Sequence, residues 1–142
     1  MKNRQNGTAL VEFALILPLI LVLTFITIEF GRAMYQYNTL TKSVRDAVRY
    51  ASVRTPNSQV TEVRNLVVYG NSGGAGSPLA LGLTLANVPS PIWQTTGSNP
   101  VIGTVTVRIT GYTFKSLFPS AFGISFGNIP FATISATMRS PL

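Results

Sequence analysis

From Thr8 to Phe30 the chain reads TALVEFALILPLILVLTFITIEF, apolar apart from Glu12, the threonines and Glu29. About 23 helical residues at roughly 1.5 Å each cover about 34 Å, enough for a hydrocarbon core of about 30 Å. The run is longer than the apolar region of about 7–15 residues in an ordinary secretory signal, and no A-x-A-like site directly follows it. The pattern predicts a transmembrane helix with a kink at Pro18, which lipid-embedded helices tolerate. Beyond it, Ala33, Tyr37, Leu40, Val44, Ala47, Val48 and Ala51 recur every three or four residues, an apolar stripe of helical period. Lys42, Arg45 and Arg49 fall largely on another face, with Lys42 and Asp46 at the i,i+4 spacing that lets opposite charges meet. One helix of about 45 residues, from Thr8 to near Val53, follows from this continuity. Thr55-Pro56 ends it and opens a second helix with Pro at its first position. Val60, Val63, Leu66 and Val67 carry that short helix, and Gly70 stops it.

The rest of the chain changes period. Asn71–Pro78 (NSGGAGSP) is a turn-rich loop. No strand precedes its glycines and no helix opens after them, so it fits neither a P-loop nor a dinucleotide fingerprint. A short extended piece is expected between Thr84 and Trp93, on a sheet edge because Pro89 and Pro91 interrupt it. Val101, Val105, Val107 and Ile109 alternate with Thr104, Thr106, Arg108 and Thr110, the run being broken at Gly103. Ala132, Ile134, Ala136 and Met138 alternate with Thr133, Ser135, Thr137 and Arg139. Such alternation implies an antiparallel sheet with one covered face, and the stripe from Ala33 to Ala51 is its cover. Phe114, Phe118, Phe122 and Phe126, spaced by four, read as core, or else as an exposed loop that meets a neighbour or the membrane surface. The fold class is therefore α+β: a long N-terminal transmembrane helix continues into an amphipathic helix packed on a small antiparallel sheet. Its parts are a leader at 1–7, a transmembrane helix at 8–30, the amphipathic continuation at 31–54 and an α+β domain at 55–142.

Composition narrows the chemistry. Charged residues are 11% of the 142-residue chain and hydrophobic ones 46%, against a charged norm of about 25% for soluble domains. The chain has no Cys and no His, so a disulfide framework, a thiol nucleophile and the commonest general base and metal ligand are all missing. Of four acidic residues, only Asp46 and Glu62 lie outside the apolar segment, too few for paired-carboxylate hydrolysis or a calcium loop. Neither a catalytic site, nor a metal, nor a cofactor is expected. The formal charge is +7. Its helix basic face, Arg45 and Arg49 with Lys42, lacks interleaved aromatics and reads as a solvated surface; nucleic acid is not an expected partner.

The chemistry concentrates in Gly7-Thr8-Ala9-Leu10-Val11-Glu12-Phe13. A carboxylate a few residues inside a membrane helix is costly and marks a functional site unless it snorkels to the interface. Gly7 precedes the apolar run, and Glu12 would be fifth in a chain cut behind it. Here the sequence resembles type IV pilin-like precursors, whose leaders end in Gly and whose mature chains carry Glu at the fifth position, and most of all the Tad/Flp system. Glu29-Phe30-Gly31-Arg32 and Arg45-Asp46-Ala47-Val48-Arg49-Tyr50-Ala51-Ser52 extend the resemblance to the TadE-like family and its Arg-x-x-x-Arg helix. Asp46 and Val48 stand where Glu and Gly are more usual. The likeness is specific over residues 7–54 and looser beyond.

The resemblance implies a pilin-like fold and a minor pilin or pseudopilin-like component for assembling an adhesive Tad/Flp-type pilus. It implies cleavage between Gly7 and Thr8 by the prepilin peptidase, with Glu12 and Phe13 serving subunit assembly. Other implied partners are further pilins and pseudopilins, the inner-membrane assembly platform and the lipid bilayer. The implied location is the bacterial cytoplasmic membrane or the pilus, with a single pass, the N-terminus cytoplasmic and the C-terminal domain periplasmic or extracellular. Charge alone argues otherwise: Arg32, Lys42, Arg45 and Arg49 outnumber Lys2 and Arg4 across the span. The orientation therefore comes from the resemblance. The competing reading is a membrane-tethered extracytoplasmic module that binds nucleic acid or another polyanion and never enters a filament.

Overall fold

A computed structural model of the chain describes residues 4–117, 120–121, 124–125 and 127–141. One helix, α1 (Arg4–Ala51), runs through 48 residues, about 72 Å at the usual rise. It starts within the polar leader instead of at Thr8, because nothing before the apolar run forbids helical backbone. Gly7 costs only about 1 kcal/mol there. Pro18 lies inside α1, and helix continues on both sides of it. Within the apolar run the hydroxyls of Thr24 and Thr27 donate to the carbonyls of Ile20 and Leu23, each at 2.8 Å. Both are thereby satisfied without water.

The two halves of α1 meet different surroundings. Leu10, Leu15, Leu19 and Leu23 are exposed, Leu15 by 75%. So large a bare apolar surface is unsuited to water and suited to lipid; the helix is long and apolar enough to cross a membrane, as in a single-pass membrane protein. Further along, Leu40, Val44, Ala47, Val48 and Ala51 are at most 1% exposed and form one core with Val63, Val67, Val105, Val107 and Ile109.

The second helix, α2 (Val60–Tyr69), turns Val63, Val67 and Val68 onto that core. Gly70 stops it in a left-handed conformation, its N–H donating to the Leu66 carbonyl at 3.0 Å. Pro56 is not its first residue. Ser58 bonds back to the Thr55 carbonyl through both its N–H and its hydroxyl, and Asn57 and Gln59 take positive φ. The chain thus makes a tight turn before the helix opens at Val60, since Asn tolerates the left-handed region.

Among the described residues seven strands follow: β1 (Ile92–Thr96), β2 (Ile102–Ile109), β3 (Thr113–Phe114), β4 (Ser120–Ala121), β5 (Ile124–Ser125), β6 (Ile129–Pro130) and β7 (Ile134–Ser140). The main sheet is antiparallel in the order β1-β2-β7. Val105, Val107 and Ile109 face Met138, Ala136 and Ile134 across the β2–β7 pair, which puts both apolar rows on the α1 side. The opposite face carries the threonines, and the hydroxyls of Thr106 and Thr137, paired in register, meet at 2.8 Å.

Several details depart from the alternation pattern. Gly103 does not break β2; it occupies a buried position in register. A Cβ there would come within 2.7 Å of the Ser140 carbonyl and 2.8 Å of that of Pro141, so close backbone approach demands the glycine. Val101 lies before the strand and is exposed, and Ala132 lies before β7. Met138 is 41% exposed because β7 is an edge strand. The segment expected to be extended from Thr84 begins as a 3₁₀ turn (Leu85–Asn87), and the prolines precede the edge strand β1 instead of interrupting it. Arg64 of α2 fixes that turn by donating to the carbonyls of Val88 and Leu85 at 2.8 and 2.6 Å. Of the four phenylalanines spaced by four, Phe114 is buried core; Phe118, Phe122 and Phe126 lie outside the described residues.

Because the sheet's apolar face is closed by the second half of α1, a chain starting near Phe30 is expected to be monomeric and to melt cooperatively. One starting at Pro56 is expected to aggregate, with Val105, Val107 and Ile109 uncovered. Size-exclusion chromatography and thermal melting of the two fragments decide it. A monomeric, cooperatively melting 56–142 fragment would reduce the helix to a stalk.

Candidate functional site: the membrane helix and its collar

The motif Gly7-Thr8 with Glu12 and Phe13 lies wholly in the first turns of α1. Gly7 is exposed, and a Cβ on it would meet nothing within 4 Å. Its role is therefore not packing within this chain. Glu12 is exposed on the apolar surface beside Leu10, Val11 and Phe13. Among the described residues it makes no salt bridge.

Arg45 and Arg49 are both exposed on the second half of the helix. Arg49 is in the last turn, where a cation complements the helix dipole. The i,i+4 pair Lys42 and Asp46 is not closed by a salt bridge among the described residues. Both instead border an open groove of about 480 Å³, with Tyr35, Asn38, Leu66 and Leu79 also on its walls.

Between the two halves of α1 stands a collar that periodicity did not reveal. Arg32 donates to Glu29 at 2.6 Å and lies over the Phe114 ring, 5.3 Å from its centroid. Phe114 stacks on Phe131 at 6.3 Å between centroids, and Phe131 meets Tyr37 of α1 edge-on at 5.6 Å. Tyr112 packs on the same ring at 5.4 Å. Its hydroxyl stands 2.7 Å from the Gln36 side-chain oxygen and 3.1 Å from the Leu81 carbonyl, and with one proton it donates to one of them at a time. Thus Tyr112, Phe114 and Phe131 grip α1 over residues 29–37, where the exposed half gives way to the buried half. A sequence signal did exist, since Glu29-Phe30-Gly31-Arg32 was visible as a motif. Its partners Tyr112, Phe114 and Phe131 are about 80 to 100 residues away and share no period with it.

The geometry is that of an α+β chain with one helix able to cross a membrane, on which its conspicuous chemistry lies. Residues 7–49 match the model of the family described as TadE-like protein. The match covers α1 almost to its end and none of the sheet, and it associates the chain with the Tad pilus system in general terms. No curated protein matches the chain, and no solved structure does.

Burial raises the pKa of the Tyr112 hydroxyl from its ordinary value of 10.0, and the nearby Arg32 charge partly opposes this. A raised phenol pKa means that the unfolded state ionises first. The contribution to stability is therefore complete below pH 10 and is lost as pH rises through the folded-state value. Tyr112→Phe is expected to cost about 1–2 kcal/mol at neutral pH through the lost hydrogen bond. It should also flatten the fall of melting temperature above pH 10. Thermal melts of the full chain in detergent across that range test both; an unchanged alkaline limb would remove Tyr112 from the collar's energetics.

Proposed function

We propose that this chain is a minor pilin or pseudopilin-like structural component that serves assembly of a Tad/Flp-type adhesive pilus. In this reading a prepilin peptidase cuts between Gly7 and Thr8, the N-terminus lies at the cytoplasmic face and the α+β domain beyond the membrane. The role is structural and not catalytic. The observation that carries it is Glu12: a carboxylate without a salt-bridge partner among the described residues, exposed on an apolar helix five residues after an unpacked glycine, inside a TadE-like segment. Cleavage would leave a positive amine on Thr8. In a bundle of such helices, Glu12 of a neighbouring subunit neutralises that amine, and each charge removes the cost of burying the other. The pairing also sets the register of the helices, since a one-sided charge in an apolar interface is strongly disfavoured.

Two substitutions test the reading at separate steps. Gly7→Leu is expected to block processing, read as the mass of the chain recovered from cells that contain the peptidase. Normal maturation, or a native N-terminus other than Thr8, would overturn the pilin-type assignment. Glu12→Gln should insert and be cleaved normally but lose at least about a hundredfold in association with pilin-like partners, the scale for breaking a buried pair from one side. Cross-linking to the major pilin and a count of pili per cell measure this. Unaltered capture and piliation would leave Glu12 as an interfacial side chain.

A further inference from the structure

The domain does not begin where the apolar run of α1 ends. Phe114, Ser116, Gly127 and Ile129 line one recess with Ile26, Glu29 and Phe30, so the near rim of the domain stands beside residues of the apolar segment. About 20 helical residues cross a hydrocarbon core of about 30 Å. Counted from Ala9 they end at Ile28; counted from Phe13, with Glu12 left at the interface, they end at Arg32. In both registers Ile26 lies within the apolar layer, and whatever packs beside it reaches that layer's edge.

The chemistry of the rim suits this depth. Its backbone is closed by the pairing of β3 with β6, Phe114 opposite Ile129 and Thr113 opposite Pro130, and Pro130 has no N–H to leave unpaired. Ile129 is 47% exposed, beside the exposed Ile26 and Phe30 of α1, so apolar surface continues from the helix onto the domain. Lys115, exposed between Phe114 and Ser116, has its Cε and Nζ beside Gly82. The adjoining Leu81 carbonyl meets the Tyr112 hydroxyl at the level of Gln36. The ammonium is thus drawn along α1 away from Ile26, as in a lysine that keeps its charge out of hydrocarbon.

We propose that this rim is seated in the bilayer interface, which makes lipid a direct ligand of the α+β domain and not of the helix alone. Acyl chains at the edge of the hydrocarbon cover Ile129 together with Ile26 and Phe30, and the headgroup layer surrounds Lys115 and Arg32. The continuity of the apolar surface selects lipid over a soluble partner, because covering the domain side alone would leave Ile26 and Phe30 bare. With α1 unbroken from Arg4 to Ala51, the seated rim holds the domain on the membrane with no free stalk beneath it. The inference rests on α1 lying in lipid, and on neither its orientation nor cleavage at Gly7.

The chain has no cysteine, so full-length variants with Gly127→Cys, Asn128→Cys, Leu19→Cys or Thr137→Cys each carry a fluorophore at one chosen place. Gly127 accepts a side chain, since a Cβ there meets nothing within 4 Å, and Asn128 is exposed and carries the test if Gly127→Cys fails to fold. Each variant is reconstituted at one chain per nanodisc of phosphatidylethanolamine and phosphatidylglycerol, so that no second copy covers the rim. A nitroxide quencher is placed on the acyl chain near the headgroup or near the terminal methyl. The labels at Gly127 and Asn128 are expected to lose most of their emission to the shallow quencher and little to the deep one. The label at Leu19, near the middle of the span, should show the reverse, and that at Thr137, on the sheet face opposite α1, should lose little to either. Rim labels as unquenched as Thr137, with Leu19 quenched, overturn the seating and leave the membrane helix standing. An unquenched Leu19 overturns the lipid residence on which the seating depends. Rim quenching that vanishes in discs holding two chains assigns the rim to a neighbouring copy and overturns the proposal likewise.

Discussion

The packing of Leu40, Val44, Ala47, Val48 and Ala51 against Val105, Val107 and Ile109 is the contact on which the other elements rest. A three-stranded sheet of this size cannot close a core on its own, and one of its faces must be covered. The cover here is the second half of the same helix whose first half is suited to lipid. Because α1 is unbroken from Arg4 to Ala51, the position of the domain is tied to the position of the apolar segment. Force or displacement applied to the helix in a bundle is transmitted to the domain through a rod and not through a linker.

The collar follows from that constraint. Where α1 leaves its bare half, the domain must seal the boundary without a water-filled gap. Phe114, Phe131 and Tyr112 do this with rings, and Arg32 bridges from the helix onto Phe114. The two carboxylates of the apolar segment stand about 25 Å apart along the axis, one near each end. Glu12 is exposed, whereas Glu29 is buried. Their environments differ in kind: the first is open on an apolar surface and the second is closed in beside the collar.

The sequence by itself determined the long helix, its division into a lipid-suited half and a striped half, the stop at Gly70 and the two alternating strands. All of these depend on local hydrophobic period or on one residue's backbone preference, which neighbouring positions carry. It also made the TadE-like stretch and the Gly7–Glu12 spacing legible, because a motif confined to one helix is written contiguously. Only the tertiary structure decided the remainder. Gly103 became a buried, in-register residue because the end of β7 passes too close for a side chain, an event set by a strand some 37 residues away. Likewise, Arg64 holds the 3₁₀ turn at Leu85–Asn87 in place of an extended segment. The collar joins residues 29–37 to Tyr112, Phe114 and Phe131, and Glu29 is buried beside it. Burial and pairing between distant segments are properties of the closed chain, so no period or spacing along the sequence can express them.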